Sequence, residues 1–270
     1  MKPIVFTILI CLLSLFSKAQ SLREEYNQCA VEKFDQHDYA GAIEYFSRII
    51  ELNPNDSMAY LDRGIVKMES HEFEGAAADF SQAVRVDSTN ADNFFLRALA
   101  RQELKDYDGA LSDFKRTVQI EDGNADAHYF TGIIKAMRTD YKTAIAEYDK
   151  AIEFTPTHAK AYSNRAWAKA QLHDLNAALA DCNKAISLDS TYVNSYIFRA
   201  YILTELHRTG EAIKDYTRAI QLDATNNGNY LKRARLYHKL SDKANTCSDY
   251  KTYKSLGGTE VVKEFEQLCL

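Results

Sequence analysis

The sequence predicts an all-α chain of stacked helical hairpins, and three observations carry that expectation. Gly and Pro are scarce, at 10 and 3 of 270 residues, so few positions break a helix. Ala42, Ala76, Ala110, Ala144, Ala178 and Ala212 recur every 34 residues. Between helical stretches only about three residues remain, enough for a turn between antiparallel helices and for little else.

The same step runs through several columns, as an internal repeat requires. Four residues after each Ala come Phe46, Phe80, Phe114, Tyr148, Cys182 and Tyr216, with Tyr250 continuing the series. Before the Ala stand Tyr39, Phe73, Tyr107, Tyr141 and Leu175, and further along run Leu52, Val86, Ile120, Phe154, Leu188 and Leu222. Within a repeat the apolar spacing is three and four, as in Tyr107, Ala110, Leu111, Phe114 and Val118. The small Ala permits close approach of two helices, and the aromatic lies one turn on along the same face. Asp56-Ser57, Asn90, Asn124, Thr157 and Asn226 supply helix-capping types at the repeat boundaries, beside Pro54 and Pro156.

Composition narrows the function classes. Hydrophobic residues at 46% and charged residues at 26% fit a folded chain, and a net charge of −5 has the wrong sign for a general polyanion binder. The first residues have another character. Lys2, an apolar run from Ile4 to Phe16 and the small residues Ser17 and Ala19 read as a secretory signal over 1–19. As a helix that run is about 20 Å long, short of a bilayer core of about 30 Å. Ile10 precedes Cys11 where lipidation wants a small residue. The expected product is exported, periplasmic or extracellular, with no membrane span in the mature chain and, lacking Lys2 and Lys18, a net charge of −7.

The columns resemble the tetratricopeptide repeat. An early helix A aromatic (Tyr26, Tyr60, Phe94, Tyr162, Tyr196, Tyr230) is followed four residues later by a small residue (Ala30, Gly64, Ala98, Ala166, Ala200, Ala234). In the fourth repeat His128 takes the aromatic's place, ahead of Gly132. The resemblance implies a right-handed α-solenoid superhelix of about seven hairpins over 20–256, starting near 23, 57, 91, 125, 159, 193 and 227. The last repeat degrades, with Thr246 and Tyr253 in small-residue columns. Gly257-Gly258 ends it, and 257–270 is expected to form a capping helix begun by Thr259 with Val261, Val262, Phe265 and Leu268 as its apolar stripe.

Candidate chemistry divides between binding and structure. Arg63, Arg97, Arg165, Arg199 and Arg233 share one helix A column, and Asp79, Asp113, Asp181, Asp215 and Asp249 follow sixteen residues on. Where Arg is missing, at Cys29 and Thr131, Asp is replaced by Tyr45 and Glu147. That covariation points to a buttressing ion pair rather than a charged binding row. His37, His71, His173 and His207 occupy the intrahairpin turn. Successive repeats stand about 8–10 Å apart, too far to share one zinc ion, and the position is one where left-handed backbone is wanted. Cys247 and Cys269 flank the terminal junction, either bridged, which staples the lid, or as two free thiols. Asn55-Asp56-Ser57 and the turns at Asp56-Ser57-Met58, Asp87-Ser88-Thr89 and Asp189-Ser190-Thr191 are nominal glycosylation acceptors, though turns favour those residues anyway. No phosphate loop, metal-ligand spacing or nucleophile elbow occurs, so neither catalysis nor a cofactor is expected.

The resemblance places the fifth and ninth helix A positions on the inner face. There Leu61, Ile65, Phe95, Leu99, Tyr129, Ile133, Trp167, Ile197 and Tyr201 form an aliphatic and aromatic stripe. The expectation is a groove for a protein or peptide, although bulky residues at the fifth position also pack adjacent A helices. The family's carboxylate clamp does not carry over, because its Lys and Asn are missing from these columns. From Leu22 to Ala125 there are 11 basic and 21 acidic residues, and from Asn227 to Gly258 there are 7 and 2. Such polarity suits an extended ligand, head-to-tail self-association or merely a solvated surface. The other functional readings are a structural subunit of a cell-envelope assembly using its convex face or edges, and an accessory regulator of an envelope machine.

Overall fold

The computed structural model describes the backbone of residues 2–269 and the side chains of residues 18–269. Among these residues there are fifteen helices and no strand. They fall into two compact units, Met1–Ala127 and His128–Leu270. In the first, α1 (Lys2–Asp35) pairs with α2 (Tyr39–Leu52), α3 (Ser57–Glu69) with α4 (Phe73–Val86), and α5 (Ala91–Glu103) with α6 (Tyr107–Ile120). The second contains α7 (Ala125–Met137), which starts just ahead of the division, then α8 (Tyr141–Phe154), α9 (Ala159–Gln171) and α10 (Leu175–Leu188). It continues with α11 (Val193–Glu205), α12 (Thr209–Leu222), α13 (Asn227–Lys239), α14 (Lys243–Ser255) and the short α15 (Lys263–Leu268). The apolar run of the signal reading lies outside the residues whose side chains are described, although its backbone belongs to α1. Among the described residues no helix is long and apolar enough to cross a membrane.

Each hairpin closes on the repeat's small-residue column. Ala42, Ala76, Ala110, Ala144, Ala178 and Ala212 are fully buried, and so are Phe80 and Phe114 four residues beyond two of them. At Gly64 and Gly132 the fit is tighter still: a Cβ there meets the Phe80 or Tyr148 ring at 2.5 and 2.6 Å, so a methyl group would have to displace the ring.

The turn between helices A and B is the same device seven times. His37, Thr139, His173 and three others share its left-handed backbone, φ 58–62°, with Lys105 at 61°. The next residue's N–H reaches back five residues, as in Asp38 to the Lys33 carbonyl at 2.9 Å, giving a Schellman closure without glycine. That explains the histidine column, since His tolerates positive φ better than most residues. Asp38, Asp106, Asp140, Asp174 and Asp242 then accept an N–H from the first turn of helix B.

The boundaries between repeats differ from the sequence expectation in detail. Asp56, Asn90 and Asn124 cap their helices through side-chain oxygens. Thr157 does not, because His158 is the N-cap of α9 and its Nδ1 accepts the Ala161 N–H at 3.2 Å. Asn226 precedes α13 without a side-chain cap bond. In three turns a Thr donates both N–H and hydroxyl to an Asp two residues earlier: Thr89 to Asp87, Thr191 to Asp189 and Thr225 to Asp223. The Asp-Ser-Thr motifs are thus turn-forming elements in their own right.

The terminal helix is shorter and later than expected. It starts at Lys263, with Val262 rather than Thr259 as N-cap, and Val261 is exposed. Ahead of it the chain lies on α14, where the Tyr253 hydroxyl accepts the Glu260 N–H at 2.6 Å and the Tyr250 hydroxyl accepts the Val262 N–H at 3.3 Å. These bonds tie residues 260–262 to α14. Phe265, 1% exposed, then packs with Leu231, Tyr250 and Tyr253. Cys247 and Cys269 are joined by a disulfide across a separation of 22 residues.

Candidate functional site: the inner face of the A helices

The charged columns turn inward. Arg63, Arg97, Arg165, Arg199 and Arg233 each donate Nε and Nη2 to the two oxygens of the aspartate sixteen residues on, at 2.6–2.9 Å. In four of them Nη1 also reaches sixteen residues back, to Ser47, Asp149, Asn183 and Thr217 of the preceding hairpin. A guanidinium offers the planar fork this needs and a lysine does not. The aspartates are buried, so an unpaired charge there is costly. These residues are mortar between helices, and they leave the inner face to other side chains.

The two exceptional repeats solve the same problem differently. In the first, Tyr26 and Tyr45 pack with ring centroids 6.1 Å apart, and the Arg48 guanidinium lies over both. In the fourth, buried His128 contacts the Glu147 carboxylate through Nδ1 at 2.6 Å and stacks on Phe154. Glu147 is held below the usual carboxylate range, chiefly by that hydrogen bond and against the opposing effect of burial.

The fifth and ninth helix A columns separate in part. At the fifth, Leu61 and Tyr129 are buried, at 6% and 7% exposure, as is Leu231. Leu61 packs with Ala76, Phe80 and Ala100, while Tyr129 packs against Tyr148, Phe130 and the ring of His158. Phe95 and Ile197 are half-buried, with the Phe95 ring 5.7 Å from Phe114. The ninth column stays accessible: Val31 is exposed, and Ile65, Leu99, Ile133, Trp167 and Tyr201 are half-buried. Packing therefore consumes Leu61, Tyr129 and Leu231 of the fifth column, whereas Phe95 and Ile197 stay half-buried like most of the ninth.

Within the second unit the ninth column forms a defined surface. Trp167 of α9 stacks on Phe198 of α11 at 5.0 Å and meets Tyr201 at 5.2 Å. Beside it is an open depression of about 200 Å³ lined by Ile133, Ala136, Met137, Asn164 and Trp167. Met137, 58% exposed, was missing from the sequence expectation because it occupies the thirteenth position. In the first unit Ile65 and Val31 line a separate depression between α1 and α3. Among the described residues no three metal-ligating side chains cluster. Burial pushes the Cys182 thiol up to about 12, which keeps it a neutral core group.

Tetratricopeptide repeat patterns match residues 30–93, 61–126 and 95–159, and further ones match 147–180 and 193–226. The chain belongs to the tetratricopeptide repeat family. Among curated proteins none matches it. Its solenoid fold is shared with a tetratricopeptide repeat protein from Parabacteroides merdae, at 18% identity and TM-score 0.70, covering 92% of this chain and 98% of that one. PilW, a widely conserved type IV pilus biogenesis factor, is 16% identical with TM-score 0.69, over 79% of this chain and 98% of its own. YrrB, described as having an unusual peptide-binding site, is 20% identical with TM-score 0.56, over 68% and 94%. At these identities the likeness is one of fold. For a tetratricopeptide repeat protein the expected role is to bind other proteins, and catalysis is not general in the family.

Proposed function

We propose that this tetratricopeptide repeat protein is an exported scaffold whose second unit holds an extended or helical segment of a protein partner. The observation that carries this reading is the aromatic surface of Trp167, Phe198 and Tyr201 beside the Ile133–Met137 depression. A tryptophan on a rigid helix face, flanked by rings and aliphatic side chains, is the composition of a binding hot spot. The A helices present it preformed, so little ordering entropy opposes docking. Export rests on Lys2, the apolar run to Phe16 and the small residues Ser17 and Ala19.

The test is crosslinked capture in cells, comparing wild type with a Met137→Glu, Trp167→Ala variant whose helical signal is intact. A discrete adduct lost in the variant supports the groove, and the same adducts in both contradict it. For export, the mature N-terminus is expected at Gln20 in a periplasmic or extracellular fraction. An uncleaved chain in the cytoplasm contradicts that part alone.

A further inference from the structure

The depression between α1 and α3 differs from the aromatic surface in one respect: it contains a carboxylate. About 210 Å³ of open space is lined by Asn27, Val31 and Phe34 of α1 and by Asp62, Ile65 and Val66 of α3. Asp62 is half-buried, and its carboxylate makes no hydrogen bond or ion pair among the described residues. Arg63 beside it is committed to Asp79, and Arg23 gives its Nε to Asp56 at 2.6 Å. Burial and the nearby Asp56 push the Asp62 carboxyl up, with Arg23 opposing.

That solitude is exceptional here. The buried aspartates 79, 113, 181, 215 and 249 each face an arginine, and half-buried Glu147 faces His128. Asp62 also holds the only carboxylate in the sixth helix A column, which otherwise reads Gln28, Leu96, Phe130, Asn164, Phe198 and Lys232. A carboxylate partly withdrawn from water and left without a partner gains most from an incoming cation. The surrounding charge has the same sense, 11 basic against 21 acidic residues from Leu22 to Ala125.

We propose that this depression is a subsite for a lysine or arginine side chain carried by a partner protein segment. The aliphatic stem lies against Val31, Phe34 and Ile65, the charged head pairs with Asp62, and the Asn27 carboxamide oxygen is a second acceptor. The subsite rests on the protein-binding reading above and adds a chemical requirement to it: a basic residue in the segment.

The test uses N-acetyl-lysine-N-methylamide and its norleucine counterpart, titrated at low ionic strength into isotope-labelled protein and read by amide shifts at Asn27, Val31 and Ile65. The lysine probe is expected to bind at least about fivefold more tightly than norleucine. Asp62→Asn is expected to abolish the preference and Asp62→Glu to retain it, each with an otherwise native amide spectrum. Equal binding of the two probes, binding of neither, or a preference surviving in Asp62→Asn overturns the proposal. A lysine preference that persists when no protein is crosslinked beside Trp167 instead counts against the scaffold reading alone.

Discussion

Arg165 and Asp181 tie α9 to α10 through two parallel hydrogen bonds, Nε to Oδ2 at 2.8 Å and Nη2 to Oδ1 at 2.7 Å. The third guanidinium nitrogen reaches Asp149 of the preceding hairpin at 2.6 Å. One side chain thus sets both the closure of its own repeat and its register on the one before. Arg165→Met is expected to cost about 3 kcal/mol, with Lys169, 2.8 Å from Asp181, softening the loss. Urea midpoints check this, and Arg165→Lys is expected to recover only part, because a point charge cannot span two carboxylate oxygens and a neighbouring hairpin.

The fourth repeat is expected to respond to acid through Glu147. The folded-state pKa of Glu147 lies below the ordinary glutamate value of 4.5, so its contribution is present above that value and is lost as pH falls through the depressed one. Urea midpoints between pH 6 and 3 are expected to fall less steeply in Glu147→Gln than in wild type, from a lower starting point. Parallel profiles for the two proteins remove Glu147 from the acid response.

Thr139 holds φ 61° with a β-branched side chain, the least suited of the seven left-handed positions. Thr139→Gly is expected to stabilise the protein by about 0.5–1 kcal/mol, after the extra unfolded-chain entropy of glycine is subtracted. His173→Gly is expected to gain less. Thermal melting of the two variants beside wild type distinguishes them.

The disulfide closes a 22-residue separation over Phe265 and its packing partners. Replacing both cysteines by serine is expected to cost about 3 kcal/mol, on the chain-entropy account. Reductant is expected to bring wild type to the level of the variant and leave the variant unchanged. Equal stabilities without reductant contradict the bridge.

What the sequence made legible follows from what repeats. The Ala and aromatic columns are under one packing constraint repeated along the chain, so their period announces the hairpins, and the Arg–Asp covariation announces the buttress. Features used once are silent. Tyr253 reads as a degraded repeat position, yet its hydroxyl holds the Glu260 N–H in the segment ahead of the last helix, which starts at Lys263 and not at Thr259. Leu61 and Trp167 both read as inner-face residues, but only the packing reveals that Leu61 is buried and Trp167 is half-exposed among other rings. Asp62 is the one carboxylate of its column, but that it is unpaired is a property of its surroundings and not of the sequence.

The central claim is that a protein partner lies on the inner face of the second unit, and site-specific photocrosslinking tests it most directly. A photoreactive residue at exposed Met137 is compared with one at exposed Ala180 on α10. The account predicts a discrete protein adduct from position 137, abolished by Trp167→Ala, and none from position 180. Adducts only from position 180, or an adduct at 137 indifferent to Trp167, would contradict it.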